Sequence, residues 1–391
     1  MGRLALYSTV GEEITHYDVN VESATLTKRA TICVPANVQY AWPHPSRRFL
    51  YVATSNRGSA HDKQAAQYNH LSALRIDPAS GALTHHGEPV TLPQRAVHIC
   101  LDSKGRYVLS AHNVPRSGIT VDRINDDGTL GARVSTPQAL DYGIYPHQVR
   151  MMPSDKAAIL VDRGNDAEGS KPEDPGALRV FRFEDGVFSR PDVIAPNAGY
   201  GFGPRHLDFH PTLPWVYVAL ERQSQLYVYR TTEDGVEHNA AYKCELLADR
   251  ANEKPRQLAG TVHVHPNGRF VYLINRASGT VDYEGTPVFN GGENSVVAFA
   301  IDQRTGEPRL LQHADTHSYH VRTFAIDPSG RLLVTASITP LAVRRGAQVE
   351  VVPAALSVFR ISEDGKLDFV RKYDVPTHGK VHYWMGMVEL P

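Results

Sequence analysis

The sequence predicts an all-β protein, a single domain over residues 1–391 that folds as a seven-bladed β-propeller with four-stranded antiparallel blades. Three observations lead to this prediction. A turn-and-strand pattern recurs at intervals of 50 to 62 residues, seven strand-and-hairpin units accompany it, and strand-like segments stand at both ends of the chain. Strand repeats with a period of about 50 residues indicate a propeller or a solenoid.

The recurring turn joins two strands that we name A and B, with A nearest the centre of the ring. Its clearest copies are residues 44–52, 265–273 and 327–334, in which His-Pro or Asp-Pro precedes a short polar turn and an apolar run. Looser copies are residues 102–109, 152–160 and 210–218. These copies predict six A–B pairs.

The outer half of each repeat, strands C and D, gives the number of blades. Seven such segments recur, and most of them alternate apolar and polar residues, as half-buried strands do. Several are followed by Asp-Gly, at 127–128, 185–186, 234–235 and 364–365, which is a hairpin signal. Since only six inner pairs are present, the seventh must combine residues 4–7 with a strand near residues 381–388. Such a shared blade closes the ring and removes two sheet edges.

Composition excludes several classes of protein. Charged residues make up 21% of the chain and the formal net charge is −1, so no basic field for nucleic acid or a membrane surface is expected. No apolar run approaches the ~18 residues of a membrane helix, and the N-terminus enters a strand without a signal peptide. A cytoplasmic protein is expected, with Cys33, Cys100 and Cys244 as free thiols. No cofactor is expected, and homo-oligomerisation is left open.

Strand direction predicts where a site should lie. Two antiparallel strands joined by a short turn place the start of A beside the end of B, opposite the turn. These positions from all blades should therefore line one face around the central channel, which we call the mouth. The predicted starts of A are Gln39, Tyr40, His98, His147, Arg205, His206, His263, Arg322 and, in the closing blade, His382 or its neighbours. The predicted ends of B include His112, Asp162, Arg163, Glu221, Asn275, Arg276 and Ser337.

Four long connections between strands B and C leave the same face. They are residues 56–69, 163–176, 276–293 and 338–354. Loops longer than ~12 residues in a compact domain are usually functional or disordered. We therefore expect a lid or a specificity wall over the mouth.

Three motifs resemble the seven-bladed β-propeller lactonases, a family that includes a bacterial 6-phosphogluconolactonase type and a fungal 3-carboxy-cis,cis-muconate lactonizing enzyme. They are residues 203–211 with 216–221, residues 146–149, and residues 268–276. The resemblance spans nearly the whole chain and implies an active site at His147, Arg205, Glu221 and Arg276. Departures at residues 162–166 and 337–338 leave the substrate open.

The chemistry implied is hydrolysis of a small anionic lactone, either a sugar-acid or an aromatic-pathway lactone. Guanidinium groups can stabilise an oxyanion or clamp a carboxylate or phosphate, so Arg205 and Arg276 suit those tasks. Glu221 and His147 are the candidates for general base and general acid. The substrate-binding candidates are His98, Asp162, His206, His263 and Arg322.

The same residues are compatible with other functions and with purely structural roles. The same groups suit a cycloisomerase that closes a carboxy-cis,cis-muconate to a lactone, and a propeller face can instead bind a protein partner without catalysis. Arg205 and Glu221 also suit a structural ion pair, and His206 should point to the opposite side of its strand from Arg205. The histidines come from separate blades without ligand-like spacing, so no metal site is predicted.

Overall fold

The computed structural model describes residues 2–57, 68–136 and 139–391. The first half of the chain forms β1 Leu4–Val10, β2 Glu13–Asn20, β3 Thr25–Cys33, β4 Asn37–Pro43, β5 Phe49–Ser55, β6 Asn69–Ile76, β7 Leu83–His85, β8 Val90–Thr91, β9 Ala96–Leu101, β10 Tyr107–His112, β11 Gly118–Ile124, β12 Leu130–Arg133, β13 Pro146–Met151, β14 Ala157–Asp162, β15 Ala177–Glu184, β16 Val187–Phe188 and β17 Asp192–Ile194. The second half forms β18 Pro204–Phe209, β19 Trp215–Leu220, β20 Gln225–Arg230, β21 Tyr242–Glu245, β22 Gln257–Val264, β23 Phe270–Ala277, β24 Thr280–Tyr283, β25 Thr286–Phe289, β26 Ser295–Ile301, β27 Pro308–Asp315, β28 Val321–Ile326, β29 Leu332–Ser337, β30 Leu341–Arg345, β31 Gln348–Val352, β32 Ala355–Ile361, β33 Leu367–Asp374 and β34 His382–Glu389. The helical content is two short 3-10 segments, Pro196–Gly199 and Arg250–Asn252, and no helix among the described residues is long and apolar enough to cross a membrane.

These strands form seven antiparallel blades. From strand A outward, the first six are β4-β5-β6 with β7 and β8, β9-β10-β11-β12, β13-β14-β15 with β16 and β17, β18-β19-β20-β21, β22-β23-β26-β27, and β28-β29-β32-β33. The seventh is β34-β1-β2-β3, so the C-terminal strand is its strand A and the N-terminus supplies the other three. The predicted fold and the shared closing blade are confirmed.

The hydrophobic core lies between neighbouring blades. Every residue of β14 and β19 is buried, because both faces of these strands pack against adjacent sheets. One cluster joins Ile159 and Val161 of β14 to Leu207, Val216 and Val218 of the next blade. The apolar runs of strand B that mark the repeat are therefore the inter-blade core.

Hydrogen bonds join several neighbouring blades at the end opposite the mouth. His210 at the end of strand A bonds through Nε2 to the carbonyl oxygen of Gly268 in the next blade's A–B turn, at 2.8 Å. Gly268 has φ +73°, and a Cβ there would lie 2.6 Å from His210 Cε1, so this turn requires glycine. The same contact joins His44 to Gly105 and His265 to Gly330. It explains the His-Pro and Gly positions of the repeat.

A second set of contacts links strand B to the next blade's C–D hairpin. Tyrosine hydroxyls donate to glycine carbonyl oxygens in these hairpins, at Tyr7–Gly81, Tyr51–Gly128, Tyr217–Gly306 and Tyr272–Gly365, over 2.7 to 2.9 Å. We call the histidine and tyrosine contacts the inter-blade latches.

Candidate active site

A β-bulge interrupts the start of strand A in every blade. In β18, for example, Pro204 pairs with Leu220 and His206 with Ala219, so Arg205 is an extra residue without a partner on strand B. The bulged residues are Gln39, Val97, His147, Arg205, Gly260 with Thr261, Arg322, and Tyr383 with Trp384. A bulge turns a side chain away from its place in the ladder and is common beside active sites. The bulges therefore decide which side chains face the channel at the mouth.

Glu221, which directly follows β19, is the centre of a cluster of arginines. Its Oε2 accepts a hydrogen bond from Nε of Arg163, its Oε1 accepts from Nη2 of Arg276, and Nε of Arg205 lies 2.9 Å from Oε1. Burial raises the pKa of this carboxyl, but Arg163, then Arg276 and Arg205, outweigh burial and hold the pKa well below its usual range. Glu221 is therefore an ionised carboxylate whose two oxygens are already occupied.

Arg205 is buried without a full set of partners. Its Nε lies close to Glu221 but is not aligned for a hydrogen bond, and its Nη1 and Nη2 have no hydrogen-bond partner among the described residues. Its exposed fraction is 0%, and burial, with Arg276 next, lowers its pKa well below the usual value. A buried cation with free donors is costly unless an anion pairs with it. The geometry suits an anionic ligand beside Arg205.

Arg276, near the end of β23, is more completely engaged. Besides Glu221, its Nε donates to the carbonyl oxygen of Ala259 at 3.3 Å, and its Nη1 lies 3.1 Å from Nε2 of His320. Burial, with Arg276 next, lowers the pKa of His320 well below its usual value, so a neutral His320 accepts this bond. The guanidinium of Arg276 is thereby held in one orientation.

His147, His98 and His206 line the channel beside this cluster. The ring centroids of His147 and His206 are 5.2 Å apart, and those of His98 and His206 are 5.7 Å apart. Burial lowers the pKa of all three well below the usual value, and Arg205 lowers it further in His147 and His206. They are therefore neutral at pH 7. In the described part of the chain, no group of three or more His, Cys, Asp or Glu residues is arranged to hold a metal ion.

Arg322 and Arg95 complete the mouth around Tyr383. The guanidinium of Arg322 lies over the Tyr383 ring, 3.9 Å from its centroid. Arg95 is 1% exposed and donates to Gln39 Oε1 at 2.6 Å, to Asn113 Oδ1 at 3.2 Å and to Tyr383 Oη at 3.1 Å. Of the five arginines named here, 163, 205 and 276 contact the buried carboxylate of Glu221, and 95 and 322 contact Tyr383.

One residue, His263, lies elsewhere than the sequence predicts, and another, Asp162, lies where it is predicted but outside the arginine cluster. His263 was expected at the start of strand A, and this placement was wrong. Six residues of β22 precede it, because this strand starts earlier than its counterparts and carries a two-residue bulge. His263 instead lies near the turn end, 3.5 Å from Asp208. Asp162 does end strand B, but its Oδ2 accepts from Arg179 on strand C at 2.5 Å, so the structure does not bring it to Glu221. His206 and Arg205 are both buried.

Sequence reasoning missed several groups at the mouth. Arg95 precedes β9 and was passed over because the strand was expected to begin at His98. His320 precedes β28 in a similar way. Tyr383 is a neighbour of His382, but nothing in the local pattern separates it from the apolar residues around it.

The long connections stand where strand direction predicts, at the mouth ends of β14, β23 and β29. Of the first connection, residues 58–67 lie outside the described residues. Two connections contain hairpins, β24–β25 and β30–β31, which contact each other through Arg344 over the Tyr283 ring at 4.0 Å. They form a wall above the fifth and sixth blades.

Comparison with known proteins identifies the family. The family model for seven-bladed β-propeller lactonases matches residues 4–340. The chain belongs to this lactonase family. The resemblance seen in its motifs is thereby confirmed.

Individual relatives of this lactonase are distant. The chain is 24% identical over 349 residues to the 6-phosphogluconolactonase of Bacillus subtilis, covering 86% of this chain and 88% of that one. It is 25% identical over 312 residues to the 6-phosphogluconolactonase of Photorhabdus laumondii, covering 78% and 79%. A solved structure, the periplasmic gluconolactonase of Pseudomonas aeruginosa, superposes with a TM-score of 0.72 at 20% identity and full coverage of both chains. At this identity the superposition supports the fold alone.

Proposed function

We propose that this lactonase hydrolyses a small anionic lactone at the mouth, and that a phosphorylated sugar-acid lactone is its preferred substrate class. The buried guanidinium of Arg205, with Nη1 and Nη2 unpartnered among the described residues, is the observation that carries the proposal. A carbonyl oxygen that becomes an oxyanion is an acceptor that such donors stabilise. The names of the relatives supply the reaction class.

The excess of positive charge favours a substrate that carries its own anion. Of the five arginines, Arg163, Arg205 and Arg276 share the single buried carboxylate of Glu221. Arg95 and Arg322 form no ion pair with a carboxylate among the described residues. A phosphate or carboxylate on the substrate accepts paired hydrogen bonds from guanidinium groups of this kind. Arg322, which is only partly buried, is placed to bind the remote anion, while Arg205 stabilises the reacting carbonyl.

Glu221 and Arg276 act by holding other groups of the site in position. The carboxylate of Glu221 has no free oxygen with which to take a proton, since both oxygens already bind guanidinium groups. Its role is to hold Arg205 and Arg276 close together despite their mutual repulsion. Holding charged donors in place before the substrate arrives is an efficient way to stabilise a transition state.

The other two functions considered from the sequence gain no support. The relatives reported above are 6-phosphogluconolactonases and a gluconolactonase, and none is a cycloisomerase. A protein-binding face would present apolar and aromatic side chains. The described residues of the mouth are instead mainly arginines and histidines, with the carboxylate of Glu221 and the phenol of Tyr383 among them.

A panel of substrates tests the proposal. Purified protein is given 6-phosphogluconolactone, unphosphorylated gluconolactone and a carboxylated muconate, and proton release and diene absorbance are followed above the spontaneous rate. We expect proton release that is fastest with the phosphorylated lactone. Loss of the diene absorbance would indicate cyclisation, and no release above the spontaneous rate with either lactone would refute the proposed hydrolysis.

A further inference from the structure

Tyr383 occupies the same structural position in the closing blade as His147, Arg205 and Arg322 occupy in theirs. In β34, Met385 pairs with Ser8 and His382 with Val10, which leaves Tyr383 and Trp384 in the bulge. Trp384 turns outward and packs in a hydrophobic cluster. Tyr383 turns inward to the arginines of the mouth. The repeat therefore supplies a phenol to the mouth where other blades supply a histidine or an arginine.

The hydroxyl of Tyr383 accepts a hydrogen bond but does not donate one to the described residues. Its Oη accepts a hydrogen bond from Arg95 Nη2 at 3.1 Å, and the described residues contain no acceptor for its hydroxyl proton. The latch tyrosines differ, since each donates to a glycine carbonyl oxygen. A hydroxyl that accepts from a cation and has no protein acceptor is free to exchange its proton with a bound molecule.

The charges that face Tyr383 favour its anion. Burial alone would raise its pKa, but Arg322, then Arg95, Arg205 and Arg276, lower it to about 8. These groups come from four neighbouring elements: β28, the segment before β9, β18 and β23. Burial raises the pKa of Tyr145, another phenol nearby, and Tyr383 adds to this rise. Burial raises the pKa of Tyr40, deeper in the channel, to about 12.

Other candidates for the proton carrier are weaker. Glu221 has both oxygens bound to guanidinium groups. His147 is neutral, but burial and Arg205 lower its pKa well below the usual value, which makes it a poor base. A general base works best with a pKa near the operating pH.

We propose that Tyr383 is the catalytic acid–base residue of this lactonase, taking a proton from the attacking water and returning it to the ring oxygen that leaves. This inference rests on the proposed lactone hydrolysis. In the first half of the reaction, the tyrosinate oxygen takes a proton from water while the water oxygen bonds to the carbonyl carbon. The carbonyl π pair moves onto the carbonyl oxygen, beside Arg205.

In the second half, that electron pair re-forms the carbonyl and the bond from carbon to ring oxygen breaks. The ring oxygen takes the proton from the Tyr383 hydroxyl and becomes the alcohol of the product. The tyrosinate is regenerated, and the carboxylic acid formed releases its proton to solvent. One residue thus serves both proton transfers, and the arginines stabilise its anion between them.

The test compares Tyr383→Phe with Tyr217→Phe, which removes a latch hydroxyl far from the mouth. For the wild-type protein, kcat/KM should rise with pH and level off above an inflection near pH 8. Tyr383→Phe should lose about 10²–10⁴-fold in kcat/KM and lose the inflection, as expected for removal of a general acid–base. Tyr217→Phe should keep both. Arg322→Gln should move the inflection to higher pH, because the tyrosinate loses the cation that lowers its pKa most.

An ultraviolet titration of tyrosinate measures the ionisation of Tyr383 directly, without a substrate. One tyrosine should ionise near pH 8 in the wild-type protein and in Tyr217→Phe, but not in Tyr383→Phe. If Tyr383→Phe hydrolyses the lactone at the wild-type rate with the same inflection, the inference is refuted and the hydrolysis stands. If the wild-type protein hydrolyses no lactone while the titration is as expected, the proposed function is what fails.

Discussion

Polar groups at the two ends of strand A differ in how completely they are hydrogen-bonded. At the turn end, His44, His210 and His265 bond to glycine carbonyl oxygens of the next blade. At the mouth end, Arg205 Nη1 and Nη2 and the Nδ1 atoms of His147 and His206 are buried with no hydrogen-bond partner among the described residues. Both ends come from the same repeat, so the difference does not come from the fold itself.

The contrast separates stability from function within one repeating unit. A paired buried group adds modestly to stability, whereas an unpaired one costs free energy. The turn end is built from satisfied contacts that hold neighbouring blades together. The mouth end retains unsatisfied donors beside a cluster of like charges, which a folded protein tolerates where a ligand completes the pairing.

The largest effect is expected for a substitution of Glu221, whose negative charge balances the positive charge of the arginines at the mouth. Glu221→Gln keeps the shape of the side chain but leaves Arg205 and Arg276 without a counter-charge, and leaves Arg163 with only the exposed carboxylate of Asp166. Breaking a buried ion pair typically costs about 3–5 kcal/mol, and we expect a loss of this size in the free energy of unfolding by denaturant titration. Turnover should fall as well, because the arginines lose their fixed positions.

The matched control is Glu350→Gln, which removes an exposed ion pair with Arg345. Exposed pairs contribute about 0–1 kcal/mol, so this variant should unfold like the wild-type protein. Equal stability of the two variants would show that the Glu221 cluster does not hold the mouth together.

Arg205→Met should have its main effect on catalysis. Loss of one oxyanion donor costs about 10²–10³ in rate, and we expect that fall in kcat/KM on a confirmed lactone. Arg205→Lys should restore little, because a point charge does not replace a planar fork of donors. Arg182→Met, which removes an exposed arginine paired with Asp234, is the control and should keep full activity.

Sequence patterns predicted the architecture well because a propeller repeats its signals. The His-Pro turns, the Asp-Gly hairpins and the strand shortage at the closing blade each follow from local rules on turns and strand alternation. The grouping of Arg205, Glu221 and Arg276 at the end of adjacent strands also follows from strand direction. Their roles stay predictions.

The bulges could not be predicted in the same way. One extra residue shifts the alternation by a single position, and this is invisible in strands of six residues such as β18. For that reason Tyr383 could not be distinguished from its apolar neighbours, and Arg95 lay outside the expected strand. His263 was misplaced for the opposite reason, since β22 extends further from its turn than β9, β13 or β18 do.

Acid should weaken the mouth end through its neutral histidines. Burial lowers the pKa of His112 and of His382 to about 4. The unfolded chain, with a pKa near 6.5, therefore binds more protons than the folded protein between about pH 6.5 and pH 4, and stability falls as pH falls through that range. We expect a loss of about 2 kcal/mol for each of these histidines by pH 5.

Denaturant titrations at pH 7.5 and pH 5 measure this loss. His112→Gln should reduce the difference between the two pH values, because one of the histidines whose pKa is lowered by burial is then gone. Stability that does not change between these pH values would contradict the assignment of neutral buried histidines.

The smallest expected effect concerns a single latch. Tyr217→Phe removes the hydroxyl that donates to the Gly306 carbonyl oxygen at 2.9 Å and leaves that oxygen without this partner. The free energy of unfolding should fall by about 1–2 kcal/mol, as measured by denaturant titration. Hydrolysis at saturating substrate should be unchanged. A fall in turnover comparable to that of Arg205→Met would show that the turn end and the mouth are not separable.

The contrast between the two ends is tested most directly by measuring kcat/KM for lactone hydrolysis and the free energy of unfolding on Arg205→Met and Tyr217→Phe in parallel. We expect Arg205→Met to lose about 10²–10³ in kcat/KM with little change in stability. Tyr217→Phe should lose stability with unchanged kcat/KM. Wild-type kcat/KM in Arg205→Met would contradict the account, because the buried unpartnered guanidinium would then have no part in the reaction.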